Sequence, residues 1–435
     1  MRDGLGIRYC STVTNRVTTN CVDFTTRIKD MRRNAMNFKP ISVLMFSNAQ
    51  VRGGAEEHIL QLLTRLDRKH FRPSLACTPK LAELLRPNLP KDVQVCQLIL
   101  DGPTDFRGAF QLSTFLRECR TQILHSHMFR ASLFASPIGR ISRVPVIVET
   151  AHVREMWRKG WKASFVIDRT ASKCVDHTIA VSNAIARYLV ECKGIAKSKI
   201  TVIPTAPALS APTTGHRSAA ERKHSLSLSE TDPIIVLAGR LEPQKGHWVA
   251  INAMTAVLKE FPRAQLIFLG EGSLRFQLEQ LVQSKQLGAN IRFAGYQNNV
   301  RDWFAAADLS ILPSFFEGLP MTVLESLAEG CPVVATAVDG TSEVIRNGET
   351  GILITAGEAV QLGQAICTML KNKQFAKRCA LAGQREVLEN FSIDKLLTRT
   401  QEFYVKIWEQ QHLRKANSHS TSGVSLAANR SNLLL

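Results

Sequence analysis

The sequence predicts an α/β fold in which two doubly wound parallel sheets face a central cleft. Short apolar runs alternate with helical patterns along most of the chain, and this alternation stops once and then restarts. Apolar runs between helices are typical of strands that are buried on both faces of a parallel sheet. With 435 residues, 45% of them hydrophobic, the chain is long enough to bury the cores of two domains.

The first sheet is predicted from seven apolar runs. A loop with Gly53 and Gly54 follows the first run, and apolar residues at helical spacing then indicate a helix between Ile59 and Leu66. The seven runs are ISVLMFS (41–47), PSLACT (73–78), VQVCQLIL (93–100), QILHSH (122–127), PVIVETA (145–151), HTIAVS (177–182) and ITVIP (200–204).

The second sheet is predicted from six further apolar runs, which begin after a stretch rich in Pro, Ala, Ser and Thr. Such a composition indicates a linker. The six runs are PIIVLAG (233–239), AQLIFLG (264–270), NIRFAG (290–295), DLSILPS (308–314), CPVVAT (331–336) and TGILI (350–354).

These patterns place a first Rossmann-like domain at residues 38–208, a linker at 209–230 and a second Rossmann-like domain at 231–390. Residues 391–412 have the apolar spacing of an amphipathic helix, which is expected to pack back on the first domain. Residues 1–37 and 413–435 lack such a pattern. We expect the first of these segments to be a flexible arm and the second to be a disordered tail.

The net charge of +18 is concentrated in one half of the chain. Residues 1–200 contain 32 Lys and Arg against 16 Asp and Glu, whereas the remaining residues contain 23 against 21. A one-sided positive field indicates a polyanionic partner, such as an acidic membrane surface, an anionic saccharide or nucleic acid. No nucleic-acid-binding module is recognisable, and we therefore expect no nucleic-acid partner.

The ten cysteines are scattered, with no CxxC pair and no other metal-ligand spacing. This distribution predicts reduced thiols and no bound metal or other cofactor. No apolar run approaches the roughly 18 residues that span a bilayer. We expect a cytoplasmic protein, peripheral to the inner face of the cytoplasmic membrane if its basic half binds acidic lipids.

The stretch FFEGLPMTVLESLAEG (315–330) places two carboxylates around the start of an apolar helix. Pro320 suits a first helical turn, and the free N–H groups of a helix start attract an anion. Glu325 lies off the apolar stripe and tilts back toward this start, while Glu317 precedes it. Two carboxylates that bind hydroxyl groups on either side of an anion would suit a diphosphate with a sugar on each side. A nucleotide sugar has this arrangement.

Two cations follow a strand of the same half, in the segment LAGRLEPQKGH (237–247). Arg240 and Lys245 are expected to face the same cleft, where fixed positive charge would stabilise a departing diphosphate. Taken alone, two such residues would more often lie on a surface. The chain contains no Asp-x-Asp sequence, and we expect these cations to replace a metal ion.

The segments GRLEPQKG, LGEGSLR, FAGYQNNV, SFFEGLPMTVLESLAEGCPVVAT and GTSEVIRNGETGILI follow one another in the second half. In this order they resemble the family 4 glycosyltransferases of GT-B architecture, and the resemblance covers roughly residues 38–410. Glu317 and Glu325 match the family's E-x7-E signature. The resemblance implies a retaining, metal-independent glycosyltransferase that moves a hexose-type sugar from a nucleoside diphosphate to an acceptor hydroxyl.

The resemblance also implies roles for donor-binding residues. Glu317 would contact the donor sugar near the reacting carbon, and Glu325 would bind the ribose. Arg240 and Lys245 would hold the diphosphate. The same resemblance implies four further donor-binding residues. The amides of Gly318 and Leu319 would cap the phosphate. The side chains of Tyr296 and Gln297 would lie near the nucleobase.

The resemblance also implies that residues in the first half of the chain line the reaction site. Gly53 and Gly54 match a glycine-rich loop whose backbone approaches the donor, where a Cβ would block the approach. His127 matches a histidine that borders the reaction centre. Its alternative interpretation is a core histidine at a strand end, and Arg130 could either assist His127 or lie on the surface. The turn VIPTAPA (202–208) departs from the family, which usually has Ile-Pro-Asn-Gly there.

The segment HVREMWRKGWKASF (152–165) leaves two interpretations open. Trp157, Trp161 and Phe165 recur every four residues beside a basic stripe, as in a helix at a membrane interface. An ordinary amphipathic helix or a loop, favoured by Gly160, fits equally well. In the family this region faces the acceptor, so the segment and the basic half support a saccharide or lipid-linked acceptor.

The function expected from the sequence is sugar transfer in cell-surface polysaccharide, lipopolysaccharide or glycolipid synthesis. One alternative is a nucleotide-sugar epimerase or hydrolase on the same fold, which would need no acceptor. Another is a non-catalytic GT-B subunit that binds a partner, which would bind no nucleoside diphosphate. The retention of both glutamates and both cations argues against the second alternative.

Overall fold

The computed structural model describes residues 39–99, 105–155, 170, 172–207 and 219–428, and for 414–428 it describes the helix without side chains. The arm predicted for residues 1–37 and the aromatic residues Trp157, Trp161 and Phe165 lie outside this description. Two parallel sheets form the framework, as the alternating pattern predicts.

The first sheet has seven strands in the order β3–β2–β1–β4–β5–β6–β7, and every neighbouring pair is parallel. The strand order reverses direction between β1 and β4, which is where ligands bind in doubly wound sheets. The strands are β1 (Ile41–Ser47), β2 (Phe71–Cys77), β3 (Gln94–Gln97), β4 (Ile123–His127), β5 (Val146–Ala151), β6 (His177–Ala180) and β7 (Ile200–Val202).

The second sheet has six strands in the order β10–β9–β8–β11–β12–β13, again all parallel. Its order reverses between β8 and β11. The strands are β8 (Ile234–Ala238), β9 (Gln265–Leu269), β10 (Ile291–Phe293), β11 (Leu309–Leu312), β12 (Val333–Thr336) and β13 (Ile352–Ile354). All thirteen strands fall within or overlap the apolar runs, and the predicted fold class is confirmed.

Helices connect these strands and cover the sheets. In the first domain the described helices are α1 (Gly54–Arg65), α2 (Pro79–Leu85), α3 (Phe106–Glu118), α4 (Phe129–Ile141) and α5 (Asn183–Glu191). They continue with α6 (Ala219–Ser225), α7 (His247–Glu260), α8 (Arg275–Ser284), α9 (Val300–Ala306), α10 (Met321–Ala328), α11 (Thr341–Val344), α12 (Ala359–Lys371), α13 (Lys373–Asn390) and α14 (Ile393–Ala428). Short 3₁₀ turns lie at Arg86–Asn88, Pro243–Lys245 and Lys197–Lys199.

The last helix belongs to the core of the first domain. Leu396, Phe403, Tyr404 and Ile407 are buried in one cluster with residues of the first sheet. The helix does not end at residue 412, where the amphipathic pattern stops, and it continues to Ala428 in the segment predicted to be a disordered tail. No proline interrupts residues 412–428, so every residue there has the backbone N–H that a helix requires.

The predicted linker at 209–230 also contains regular structure, because residues 219–225 form α6. Residues 208–218 lie outside the description. Lys223 of α6 donates a hydrogen bond to Asp308 at 3.1 Å, which attaches the helix to the second domain. Among the described residues, no helix combines the length and apolar character that a membrane crossing requires.

The two domains share one apolar cluster and several polar contacts. The cluster combines Val181 and Ile185 of the first domain with Leu319 and Leu324 of the second. Glu343 of the second domain accepts hydrogen bonds from the first two amides of α5, including that of Ala184 at 2.7 Å. A carboxylate at a helix start also interacts favourably with the helix dipole. These contacts bring the carboxyl ends of both sheets together around the predicted cleft.

Candidate active site

A largely buried ion pair lies on the second domain's side of the cleft. The Nζ of Lys245 donates to Oε1 of Glu317 at 2.5 Å, and the two side chains are 14% and 7% exposed. Lys245 lies in the short turn after β8, and Gly246 follows it with φ +65°, a conformation that favours glycine. At Gly246 a Cβ would lie 2.1 Å from the Pro313 carbonyl, so the turn packs directly on the loop that leads to Glu317.

Hydrogen bonds hold these two loops in register. The Nε2 of Gln244 donates to the Phe316 carbonyl at 2.8 Å, and the Phe315 amide donates to the Gln244 carbonyl at 2.8 Å. The Glu317 amide donates to Oδ2 of Asp339 at 3.0 Å. The position of Glu317 is therefore fixed by its backbone as well as by its side chain.

Asp339 extends this network to the first domain. Its Oδ1 lies 3.0 Å from Nε of Arg154, which follows β5. Asp339 has φ +39°, an uncommon value for a residue other than glycine. Burial raises the pKa of its carboxyl, and the neighbouring Arg154 opposes that effect. Neither Asp339 nor Arg154 was predicted as a site residue.

The turn before α10 packs tightly against the first domain. A Cβ on Gly318 would lie 1.6 Å from the carbonyl oxygen of His152, so only glycine fits this approach. Leu319 is 7% exposed and its side chain belongs to the shared apolar cluster. The described residues offer no hydrogen-bond acceptor to the amides of Gly318 and Leu319. These two donors thus remain open beside Glu317.

The glycine-rich loop of the first domain reaches the same place. The Gly53 amide donates to Oε2 of Glu56 at 3.1 Å, which closes the start of α1. A Cβ on Gly54 would lie 3.2 Å from Cγ of Met321, the first residue of α10. Arg240 is exposed, and its charge acts on the buried carboxyl of Glu56, whose pKa burial raises. The structure therefore places Gly54 against the start of α10, the helix that Glu317 precedes.

Glu325 lies on α10 and faces a second carboxylate from the first domain. Burial raises its pKa to about 8, and the negative charge of Glu57 contributes to that rise, while Arg301 opposes it. Glu57 forms an ion pair with Arg52 in the same helix start. A protonated Glu325 can donate a hydrogen bond as well as accept one.

The two residues predicted near the nucleobase lie after β10. Tyr296 is 51% exposed, and its hydroxyl is close enough to Arg52 to affect the pKa of that guanidinium. Gln297 is fixed by its own contacts, since its Nε2 donates to the Ala294 carbonyl at 2.7 Å and its Oε1 accepts from Trp303 at 3.3 Å. Tyr296 is thus the accessible member of the pair.

Four histidines converge on the first domain's side of the cleft, and we call His58, His125, His127 and His152 the histidine cluster. His127 is the last residue of β4, and its Nδ1 lies 3.1 Å from Nε2 of His152. His125 contacts Tyr404 and Thr150 through its two ring nitrogens, each at 2.6 Å. Ring centroids of His125 and His127 are 4.2 Å apart.

Burial keeps the histidine cluster neutral. It lowers the pKa of His58 to about 4 and that of His125 to about 3, and it lowers the pKa values of His127 and His152 well below their ordinary value. Met128, which follows His127, has φ +74°, a strained conformation of the kind that functional sites retain. Both interpretations of His127 stay predictions. The residue is fully buried, as a core histidine would be, and it adjoins the cleft through His152.

The remaining open prediction concerned Arg130, and the structure places this residue on the surface. Its side chain is exposed, and its charge acts on the buried carboxyl of Glu155 rather than on His127. Residues that the sequence analysis missed include His58 and His152. His152 directly follows β5, and the carboxyl ends of neighbouring parallel strands meet, so its position after a predicted strand was an available signal.

Two family models match the chain, one in each domain. The model described as Glycosyltransferase Family 4 matches residues 52–207. The model described as Glycosyl transferases group 1 matches residues 219–386. Together the two matches include every described residue discussed above as a candidate for donor binding.

Relatives with assigned names are similar over parts of the chain. An Escherichia coli UDP-Gal:alpha-D-GlcNAc-diphosphoundecaprenol alpha-1,3-galactosyltransferase is 22% identical over 311 residues, which are 69% of this chain and 79% of that protein. A Rhizobium meliloti lipopolysaccharide core biosynthesis mannosyltransferase, LpsB, is 31% identical over 182 residues. The latter match spans 40% of this chain and about half, 52%, of the relative.

A solved structure shares the two-domain architecture. The Anabaena protein Alr3699/HepE, solved in complex with UDP-glucose, superposes with a TM-score of 0.73 at 18% sequence identity. The superposition covers 84% of this chain and all of that chain. The matched family models and the common fold show that the chain belongs to the family 4 glycosyltransferases of GT-B architecture.

Proposed function

We propose that this glycosyltransferase moves a sugar from a nucleoside diphosphate to an acceptor hydroxyl, with retention of anomeric configuration and without a metal ion. The observation that carries the proposal is the buried pair of Lys245 and Glu317 at the start of α10. A charged pair is costly to bury. Here it lies beside open amides in a cleft, and a binding site for a charged ligand accounts for that placement.

The donor diphosphate would bind between Lys245 and the start of α10. There the open amides of Gly318 and Leu319 and the helix dipole favour an anion. Arg240 adds a second cation, and its side chain is exposed. The close approach of Gly54 to Met321 allows the glycine-rich loop to cover the phosphates.

Two carboxyl groups would then contact the sugars of the donor. Glu317 would bind hydroxyls of the transferred sugar once the diphosphate competes for Lys245. Glu325 would bind the ribose, where its raised pKa lets it act as both donor and acceptor of hydrogen bonds. Tyr296, half exposed, and the fixed Gln297 would lie beside the nucleobase.

The reaction would break the bond between the anomeric carbon and the diphosphate oxygen. Lys245 and Arg240 would stabilise the negative charge that develops on the departing diphosphate. The acceptor oxygen would bond to the same face of the anomeric carbon, and its proton would pass to a phosphate oxygen. Glu317 and His127 would shape the positively charged sugar that forms between these events.

The names of the relatives support a choice of substrates. The Escherichia coli relative is named for a UDP-sugar and a diphosphoundecaprenol-linked acceptor, and the Anabaena structure contains UDP-glucose. We therefore propose a UDP-sugar donor and a saccharide or lipid-linked acceptor. The pathway would be the synthesis of a cell-surface polysaccharide, a lipopolysaccharide or a glycolipid.

A peripheral membrane contact would suit a lipid-linked acceptor. Helix α3 exposes Phe106 and Phe110, one turn apart, at 86% and 74%. Exposed Arg107 lies between them in sequence, in the half of the chain with the positive excess. Aromatic and basic residues together bind the interface of an acidic membrane. Sedimentation with acidic vesicles, compared with neutral ones, tests this contact through the variant Phe106→Ser, Phe110→Ser.

The central experiment combines a donor screen with a product analysis. UDP-, GDP- and ADP-sugars are ranked by the rise in melting temperature, since a bound donor stabilises the folded state by mass action. The selected donor is incubated with saccharide and lipid-linked acceptors in a chelator, and NMR identifies the anomer formed. Retention without metal supports the proposal. Inversion, dependence on metal, or free or epimerised sugar formed without acceptor contradicts it.

A further inference from the structure

The histidine cluster contains a potential metal site that the proposed reaction does not use. His58, His127 and His152 each offer a ring nitrogen, and these atoms lie within 4.8 Å of one another. Within the part of the chain that the structure describes, no other group of His, Cys, Asp or Glu meets this condition. The fourth member, His125, is not available as a ligand because both of its nitrogens are hydrogen bonded.

The three residues come from three separate elements of the first domain. His58 lies on α1, His127 ends β4 and His152 follows β5. Their ring centroids are 5.1 Å to 5.6 Å apart. Each ring is attached to a regular element or its end, so the backbone fixes the positions from which three nitrogens approach one point.

Two ring nitrogens in this group have no partner among the described residues. Nδ1 of His58 and Nε2 of His127 are buried and accept or donate no hydrogen bond there, and the two residues are 2% and 0% exposed. A buried polar atom without a partner costs about 1–3 kcal/mol, and most such atoms in native proteins are satisfied. An ion bound among the three rings would satisfy Nδ1 of His58. His127 can present only one nitrogen to that ion, and its Nδ1, 3.1 Å from Nε2 of His152, is the one already placed for it.

The donor set indicates the class of ion. Three neutral imidazoles without a carboxylate suit Zn²⁺ and similar borderline divalent ions, whereas Mg²⁺ and Ca²⁺ require oxygen ligands. Zinc binds imidazole nitrogen at about 2.0–2.1 Å, which places tetrahedral ligands about 3.3 Å apart. The nitrogens of His127 and His152 already lie at 3.1 Å. A water molecule or a substrate oxygen would supply the fourth ligand.

We propose that His58, His127 and His152 bind one zinc-type divalent ion, and that this ion inhibits sugar transfer. The inhibition rests on the proposed function, in which His127 borders the reaction centre and transfer needs no metal. A bound ion would hold the His127 ring away from the sugar and place a positive charge beside the developing positive charge of the transition state. The His152 carbonyl, which packs on Gly318, would be fixed at the same time.

Metal binding is tested without any activity assay. Chelator-treated full-length protein is titrated with Zn²⁺ in a calorimeter, and one site is expected. The variants His58→Gln and His152→Asn are expected to weaken binding at least about 100-fold, more than the 10–100-fold typical of an outer-shell change. The exposed His224 provides the control His224→Gln, which is expected to bind as the wild type does. Circular dichroism verifies that each variant is folded.

Cobalt distinguishes the site from the free thiols of the described residues, of which Cys192 is exposed and Cys96 and Cys174 are partly exposed. Co²⁺ bound by imidazoles is expected to give visible d–d bands without a sulfur-to-cobalt charge-transfer band. Loss of these bands in His58→Gln supports the site. A thiolate band, binding that is unchanged in both folded variants, or no binding by the wild type overturns the proposal.

Inhibition is then measured with the donor and acceptor selected above. We expect Zn²⁺ to reduce transfer by the wild type at least tenfold and to reduce transfer by His58→Gln less than twofold at the same free concentration. Equal inhibition of both proteins overturns the inhibitory role even if the ion binds. Absence of transfer in the chelated wild type counts against the proposed function and leaves the binding measurement intact, so the two failures are distinguishable.

Discussion

The two sides of the cleft bury polar groups in opposite ways. On the second domain's side, Lys245 and Glu317 are charged and paired at 2.5 Å. On the first domain's side, the histidine cluster is neutral, and some of its nitrogens have no partner among the described residues. A charged pair responds strongly when one partner is removed, because the other charge is left uncompensated. A neutral cluster responds weakly to loss of one hydrogen bond and is suited to accept a ligand.

The largest expected effect comes from breaking the ion pair. Loss of one fixed donor to a developing negative charge costs about 10²–10³ in rate, and we expect Lys245→Ala to lower transfer by at least this factor. Glu317→Ala removes the carboxylate proposed to contact the transferred sugar, and we expect it to lower transfer by orders of magnitude as well. Each single change should also destabilise the fold by about 3–5 kcal/mol. Initial rates and denaturant unfolding measure the two effects.

The exposed Lys259 on α7 offers a matched control, and Lys259→Ala is expected to change neither quantity. In the double variant Lys245→Ala, Glu317→Ala, no buried charge is left alone, so stability should recover part of the loss while transfer stays low. Wild-type rates in either single variant would refute the assignment of these residues to the site.

The next largest effect concerns the contact between the two sides. In Gly318→Ala the new Cβ would meet the His152 carbonyl at 1.6 Å, and the domains must separate to accommodate it. Overpacking of this kind costs about 1–3 kcal/mol. We expect a lower melting temperature and a larger radius of gyration in X-ray scattering. Gly288→Ala is the control, since its new Cβ would have no described atom within 4 Å. Identical behaviour of the two variants would show that the contact is not formed in solution.

A smaller effect is expected in the neutral cluster. Tyr404→Phe removes the hydrogen bond between the last helix and Nδ1 of His125, which leaves a buried nitrogen unpaired. The expected loss of stability is about 1–3 kcal/mol, at the lower end if a water replaces the hydroxyl. Chemical unfolding of both proteins measures the difference. Coincident midpoints would show that the cluster does not depend on α14.

The last predicted effect is a pH dependence at Glu325. Its pKa is about 8 in the folded protein against 4.5 ordinarily, so between these values only the unfolded chain releases the proton. The wild type should therefore lose stability relative to Glu325→Gln as pH rises from 4.5 to 8, and the difference should be constant above 8. Melting temperatures of the two proteins across this pH range measure the difference, and about 2–4 °C corresponds to 1 kcal/mol in domains of about 150–250 residues. A difference independent of pH would show that Glu325 ionises normally.

The same contrast explains which parts of the molecule could be predicted from the sequence. Glu317, Gly318 and the start of α10 are neighbours in the chain, so the local pattern around Pro320 was sufficient to predict their proximity. The strands were predictable because strands buried on both faces are continuous apolar runs. The end of α14 was not, because residues after 412 lack the apolar spacing on which that prediction depended.

The histidine cluster shows the limit of this approach. Two strands and two α-helices of the described chain separate His58 from His127, and no short spacing joins them. Only the parallel order β1–β4–β5 brings their elements together. Likewise, the contact of Asp339 with Arg154 joins the two domains and leaves no local signal. Interactions across the fold require the topology before residues can be assigned.

The most direct test of the account is a calorimetric titration of the nucleoside diphosphate that the donor screen selects, in the presence of chelator. Wild type and Lys259→Ala should bind it with equal affinity, and Lys245→Ala should bind it at least about tenfold more weakly, a difference of about 1.4 kcal/mol. Equal affinity of Lys245→Ala and wild type would contradict the claim that the diphosphate binds at the Lys245–Glu317 pair.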